Sequence, residues 1–134
     1  MVEKQLIKVP GSRDWEKEFG FCPAVKLGNM VYLTGHVGCD DKGVCVSDAL
    51  EPQVIKVFEN LQATLAAAGS DLSKMLQMTC YIVDILRNGP PFWALRKRLM
   101  PNTAYTSASI GIHELADPRL LIEIQGVAYC DQAA

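Results

Sequence analysis

Asp48-Ala49-Leu50-Glu51-Pro52-Gln53-Val54-Ile55-Lys56-Val57-Phe58-Glu59-Asn60-Leu61-Gln62-Ala63-Thr64-Leu65-Ala66-Ala67-Ala68-Gly69 reads as one long amphipathic helix. Its apolar residues Leu50, Val54, Val57, Phe58, Leu61, Leu65 and Ala68 recur with the helical period and trace a single face. Glu51, Gln53, Lys56, Glu59, Asn60 and Gln62 are read as the outer side. Asp48 with Glu51 three residues on has the form of a capping box, and Pro52 falls in the first turn, where its missing N–H is tolerated. Gly69 supplies a left-handed C-terminal cap. A helix with one apolar face needs a surface to lie on, and the runs on both sides of it read as strands.

Upstream, residues 4–9 alternate and stop at Pro10-Gly11, which makes them a first strand. Residues 12–22 read as a loop that packs Trp15, Phe19 and Phe21. Residues 24–27 and 30–35 are short strand runs separated by Gly28-Asn29, a two-residue hairpin signature. Residues 38–46, with Gly38, Asp40, Asp41 and Gly43, read as a loop. Downstream, residues 75–84 place Leu76, Met78, Cys80 and Ile82 on one face and Gln77, Thr79, Tyr81 and Val83 on the other. Residues 88–91 (NGPP) are expected to break the chain before a second helix over about 91–99, which carries Phe92, Leu95 and Leu99 inward and is stopped by Pro101. Two strands finish the chain. In residues 104–112, Tyr105, Ser107, Ser109 and Gly111 share one face. In residues 120–130, Leu121, Glu123, Gln125, Val127 and Tyr129 lie opposite Leu120, Ile122, Ile124, Gly126, Ala128 and Cys130.

The expected order is β-β-β-α-β-α-β-β, an α+β layer with one mixed sheet and two helices across one face. The 134 residues are expected to form one domain, 1–134, large enough to bury about two thirds of its unfolded surface. Hydrophobic residues make up 49% and charged residues 21%, which excludes a disordered chain. Two helices leave the second sheet face uncovered, and Tyr32, Val83, Tyr105, Leu121 and Val127 are assigned to it. They are too apolar to face water in such number, so self-association is expected.

Met1–Gln5 is charged with no apolar run after it, and no run approaches the ~20 residues of a membrane helix, so a cytoplasmic protein is expected. The five cysteines, Cys22, Cys39, Cys45, Cys80 and Cys130, form no C-x-x-C pair, and the two histidines lie far apart. No metal is therefore expected. Cys80 and Cys130 lie in apolar runs as small buried hydrophobes, and the cysteines are expected to be free thiols of a reducing cytosol, with a reactive thiol at Cys22, Cys39 or Cys45 as the alternative. No phosphate-cradling glycine motif is present, so no nucleotide cofactor is expected. A net charge of −2 and the lack of an aromatic-basic platform weigh against nucleic acid as a partner.

Glu123 is the leading chemical candidate. It interrupts Leu120-Leu121-Ile122-Glu123-Ile124, where a carboxylate is either an outward charge on a solvated face or a costly group held for function. His36 follows Thr34-Gly35 at a strand end, either as a proton-transfer group or as a locally hydrogen-bonded ring. Ser107 and Ser109 offer hydroxyls if their face lines a cleft, and are otherwise small sheet filler. Arg87, Arg96 and Arg119 are the cations able to clamp an acid, although Arg96-Lys97-Arg98 also suits the solvated end of a helix.

The hairpin Pro23-Ala24-Val25-Lys26-Leu27-Gly28-Asn29-Met30-Val31-Tyr32-Leu33-Thr34-Gly35-His36-Val37-Gly38 resembles a segment of the reactive intermediate deaminase family, also called Rid or YjgF, many members of which are labelled L-PSP endoribonuclease. Val57–Gly69 resembles the family's helix, and Tyr81, Val83, Asp84 and Ile122-Glu123-Ile124 resemble its strands. The resemblance covers nearly the whole chain. It implies a chorismate-mutase-like fold and a homotrimer with a sheet barrel inside. It places a small-metabolite site between subunits and implies hydrolysis of enamines and imines to keto compounds and ammonia, without metal or organic cofactor. It also marks departures. Ser107 falls where active members carry a carboxylate-binding arginine, and Ser109 where a cysteine is frequent. Phe21 falls near a loop tyrosine, and Thr34 replaces the serine before Gly35. Glu123 matches. Arg96 falls near a usual asparagine and is the cation placed to compensate. The pattern resembles a subgroup lacking the arginine, for which a non-catalytic metabolite-binding or regulatory role is the alternative; the endoribonuclease activity of the family label is the third reading, opposed by the net charge and the missing aromatic-basic platform.

Overall fold

In a computed structural model that describes residues 3–132, chain order runs β1 (Gln5–Ile7), α1 (Trp15–Phe19), β2 (Ala24–Leu27), β3 (Met30–Val37), α2 (Leu50–Ala67), β4 (Met75–Val83), α3 (Ile85–Leu99), β5 (Thr106–Ile112) and β6 (Ile122–Tyr129). The strands form one sheet in the order β1-β2-β3-β6-β4-β5. Every neighbouring pair is antiparallel except β4–β5, which is parallel. A parallel pair needs a crossover, and α3 supplies it. α2 packs on β3 and β6, and α3 on β4 and β5. The core between them holds Val54, Leu61, Met78, Ile82, Phe92 and Ile124, all fully buried. The expected α+β layer and the face assignments of β6 hold, but in β4 a bulge between Met75 and Gln77 puts Met75 on the buried face with Met78, Cys80 and Ile82 and leaves Leu76, expected there, exposed. Among the described residues no helix is long and apolar enough to cross a membrane.

α2 ends in a Schellman motif: the Ser70 N–H donates to the Leu65 carbonyl and the Gly69 N–H to Ala66, with Gly69 at φ +80°. Its start differs from the capping box. Ala49 is the N-cap without a side-chain bond, the Ser47 hydroxyl accepts the Ala49 N–H, and Asp48 pairs instead with Arg119 at 2.8 Å. Gln53 does not face solvent either. It is fully buried, and its amide donates to the carbonyls of Ser47 and Arg119 and accepts the Leu121 N–H, each at 2.8 Å. Buried backbone groups require partners, and in these two loops a side chain supplies them.

Three further expectations are corrected. Residues 15–19 form a short helix capped by Asp14, where a loop was read. Residues 88–91 do not break the chain: α3 begins at Ile85 and runs through Pro90 and Pro91. Asp84, at φ +50°, turns the chain into it, the Asn88 amide holds the Val83 carbonyl, and burial of Phe92 and Leu95 anchors the proline-bearing turn. Tyr105 lies before β5 and packs against the core, not on the uncovered face. That face does carry exposed Tyr32 and Ile110, with half-buried Val83, Leu121 and Val127.

Candidate functional site

β3 contains a bulge that sorts the candidate residues. Leu33 pairs with Gly126 and His36 with Ile124, so Thr34 and Gly35 together oppose the single residue Gln125. The extra residue reverses the alternation of the strand. His36 therefore turns to the helix side and Gly35 is left beside Glu123.

Glu123 projects from β6 on the face that carries no helix. Its cross-strand partners are Val37 on β3 and Tyr81 on β4, and Tyr81 in turn pairs with Ile110 on β5. A Cβ placed on Gly35 would lie 2.6 Å from the Glu123 carboxyl, so only glycine leaves room for it. The carboxyl is half-buried, and burial raises its pKa, with no cation or donor among the described residues opposing the shift. The result is a partly desolvated carboxylate between a phenol and aliphatic side chains, with free acceptor capacity. Tyr81 escaped the sequence reading because alternation gives the face of a residue but not the strand register that makes two residues neighbours.

The second group sits on the opposite face, at the β5 edge. Arg96 reaches down from α3, and its Nη1 donates to the Ser107 hydroxyl at 2.6 Å, with the Cys80 sulfur at 3.5 Å. Its guanidinium lies 5.2 Å from the Phe92 ring centre and 5.9 Å from that of Tyr105. Those rings hold the cation in place without neutralising it. Burial pushes the Cys80 thiol up, and Arg96 opposes that. Ser109 accepts a hydrogen bond from the Trp93 indole at 2.9 Å. The arrangement is a fixed, partly exposed guanidinium standing over Ser107.

The remaining candidates lie apart from both groups. His36 is buried, and burial pulls its pKa down to about 4, so the ring is neutral. Its Nδ1 lies 2.7 Å from the Thr34 carbonyl, which can only accept, so Nδ1 carries the proton. Nε2 then accepts from the Thr64 hydroxyl at 2.8 Å. Both nitrogens are occupied, and the ring joins β3 to α2. Phe21 is half-exposed, stacked on Phe19 and edge-on to Trp15. Arg119 is paired with Asp48. The structure thus brings Glu123 to Gly35, Arg96 to Ser107, and Trp93 to Ser109, with the sheet between Glu123 and the other two pairs.

Residues 15–130 match the profile of a family described as Endoribonuclease L-PSP. The RutC family protein YjgH of Escherichia coli is 31% identical over 84 residues, 63% of this chain and 63% of that protein. The aligned segment therefore spans less than two thirds of that relative's length. The RutC family protein SSO3206 of Saccharolobus solfataricus is 30% identical over 110 residues, 81% of this chain and 85% of its own. Reactive Intermediate Deaminase A of Arabidopsis thaliana is 32% identical over 66 residues, 48% of this chain and 35% of that one. A solved structure of a protein YJGH superposes with a TM-score of 0.85 at 24% identity, covering 96% of this chain and 98% of the other.

Proposed function

We propose that this chain, which belongs to the Endoribonuclease L-PSP family, hydrolyses a small imine or enamine at a site shared between two subunits, with Glu123 as the proton-transfer group. The observation that carries the reading is the half-buried, unopposed carboxylate that Gly35 makes room for. A carboxylate with a raised pKa is suited to take a proton from water and return it within one catalytic cycle. Water attacks the imine carbon while Glu123 accepts its proton. The imine reacts in its protonated form, so as the carbon–nitrogen π pair moves to nitrogen a neutral carbinolamine forms. The carboxyl then returns its proton to nitrogen, the carbon–nitrogen bond breaks, and ammonia leaves while the hydroxyl proton passes back to the Glu123 carboxylate and the keto compound forms. The name of the Arabidopsis relative supports the same chemistry.

Arg96 is the cation proposed to bind an acidic substrate group. It performs from α3 what an arginine at position 107 would perform from the strand, since its guanidinium already touches the Ser107 hydroxyl. Within one chain the sheet separates Arg96 from Glu123, so the Arg96 edge of one copy is proposed to meet the Glu123 face of the next. The half-exposed Tyr32 and Ile110 support a homotrimer that covers this face. The alternative is a metabolite-binding module without turnover, favoured by the neutral Ser107 where active relatives carry charge. Ammonia release from 2-iminopropionate generated in situ separates the two. Turnover by the intact chain that falls about 10²–10⁴-fold in Glu123→Ala supports the enzyme. Ligand binding with no turnover in the intact chain supports the module.

A further inference from the structure

After β3 the chain folds back on itself, and Cys39 meets Cys45 in an isolated antiparallel bridge. The Asp40 N–H donates to the Val44 carbonyl at 2.9 Å and the Val46 N–H to the Gly38 carbonyl at 3.0 Å. These bonds flank the cysteines without joining them. The two therefore form a non-hydrogen-bonded pair, whose Cα atoms stand about 4.5 Å apart. A disulfide needs a Cα separation of about 4.4–6.8 Å, so the span is already suitable. Both cysteines are free thiols.

The hairpin is also held firmly. A Cβ on Gly38 would lie 2.8 Å from the Gln53 backbone, so the strand presses directly on α2. The Asn60 amide donates to the carbonyls of Val37 and Cys39 at 2.9 Å, and the Asp40 carboxylate accepts the N–H groups of Lys42 and Val44 at 2.9 Å. Access is one-sided. Cys45 is buried and donates to the Ser47 carbonyl, while Cys39 lines a cavity of about 320 Å³ together with Arg13, Trp15, Asp40 and Asn60. One thiol is open to a small reagent and the other waits behind it.

We propose that Cys39 and Cys45 form a reversible cross-strand redox site, oxidised by a small-molecule disulfide that enters through this cavity. The Cys39 thiolate attacks one sulfur of the reagent, whose sulfur–sulfur bond breaks and releases a first thiolate. Cys45 gives up its proton and attacks the Cys39 sulfur, expelling the second thiolate and closing the protein disulfide. The protein loses two hydrogens, and the reagent gains them as two thiols. Burial and the neighbouring Cys45 push the Cys39 thiol up, so exchange at neutral pH is slow and the site is best read at equilibrium.

The full chain is equilibrated in a series of oxidised-to-reduced glutathione ratios, quenched with acid, alkylated, and analysed by intact mass and peptide mapping. The expected product is two hydrogens lighter, with a Cys39–Cys45 peptide and with Cys22, Cys80 and Cys130 alkylated. Cys45→Ser is expected to accumulate a glutathione adduct on Cys39, and Cys39→Ser to take up none at Cys45. A wild-type chain that stays reduced at the most oxidising ratio overturns the site. So does a lasting Cys39 adduct beside a free Cys45, or a cross-link through Cys22. These outcomes are read on the wild-type chain and do not depend on the variants folding.

Discussion

Two ionisable residues on neighbouring strands behave in opposite ways in the fold. Glu123 and His36 are both polar interruptions of apolar strands, and a bulge of one residue separates their fates. His36 has its pKa lowered to about 4 by burial, against an ordinary value of 6.5. The unfolded chain then binds the proton more readily than the folded one, so stability is full above about pH 6.5 and falls as pH drops toward 4. The loss amounts to about 3 kcal/mol once both states are protonated. Urea unfolding between pH 7 and pH 5 is expected to show this slope in the wild type and a flatter one in His36→Gln. An equal slope in both would remove His36 as its source. Glu123 has its pKa raised, so the ionised form is the costly one in the fold, and stability falls as pH rises above the ordinary carboxylate range. Glu123→Gln is therefore expected to raise the thermal midpoint at neutral pH while lowering ammonia release, which calorimetry beside a turnover assay would check. Alternation in 120–130 made the outward direction of Glu123 legible. The bulge that turned His36 inward left no signal, because a bulge is a property of two paired strands and the sequence shows one at a time.

At the scale of elements, long periodic segments were readable and their ends were not. The apolar stripe of α2 and the alternation of β4 and β6 follow from repeated side-chain chemistry, so each residue confirms its neighbours. Helix starts rest on single residues with competing partners. Asp48 had the form of a cap, but Arg119 from a distant loop claims it. Pro90-Pro91 had the form of a stop, but the buried Phe92 outweighs it. Gln53 is the clearest case, a polar residue whose three hydrogen bonds tie the start of α2 to the loop before it and to the segment leading into β6. Gln53→Leu keeps the volume and deletes all three partners. Each abandoned buried backbone group costs about 1–3 kcal/mol, so the variant is expected to lose about 3–5 kcal/mol in urea unfolding. A loss under about 1 kcal/mol would mean that water replaces the amide there.

At the scale of the whole molecule, the separation of Arg96 from Glu123 becomes an experiment. Arg96 lies under α3 against Ser107 and Cys80, while Glu123 lies across the sheet beside Gly35 and Tyr81. No rotation of either side chain crosses a sheet whose β4 and β6 are hydrogen-bonded between them. If one reaction needs both groups, they must come from different copies. Glu123→Ala and Arg96→Ala are then each expected to be nearly inactive alone. Mixed and reassembled, they complement each other, because an Arg96→Ala chain still supplies Glu123 and a Glu123→Ala chain still supplies Arg96. In randomly mixed closed rings about a quarter of the interfaces carry both intact groups, so about a quarter of the wild-type rate should return. The wild type should behave in light scattering as three copies of the 14.7-kDa chain. Ile110→Glu, which places a charge on the half-exposed sheet face, should shift it to the monomer and abolish turnover with Glu123 and Arg96 intact. Complementation succeeds whether Arg96 binds substrate or only packs on Phe92 and Tyr105, because the Glu123→Ala chain supplies that whole edge intact. Arg96→Lys tells the two apart: a substrate-binding cation predicts a raised KM for acidic substrates with the thermal midpoint unchanged, whereas a packing role predicts a lowered midpoint with the KM unchanged.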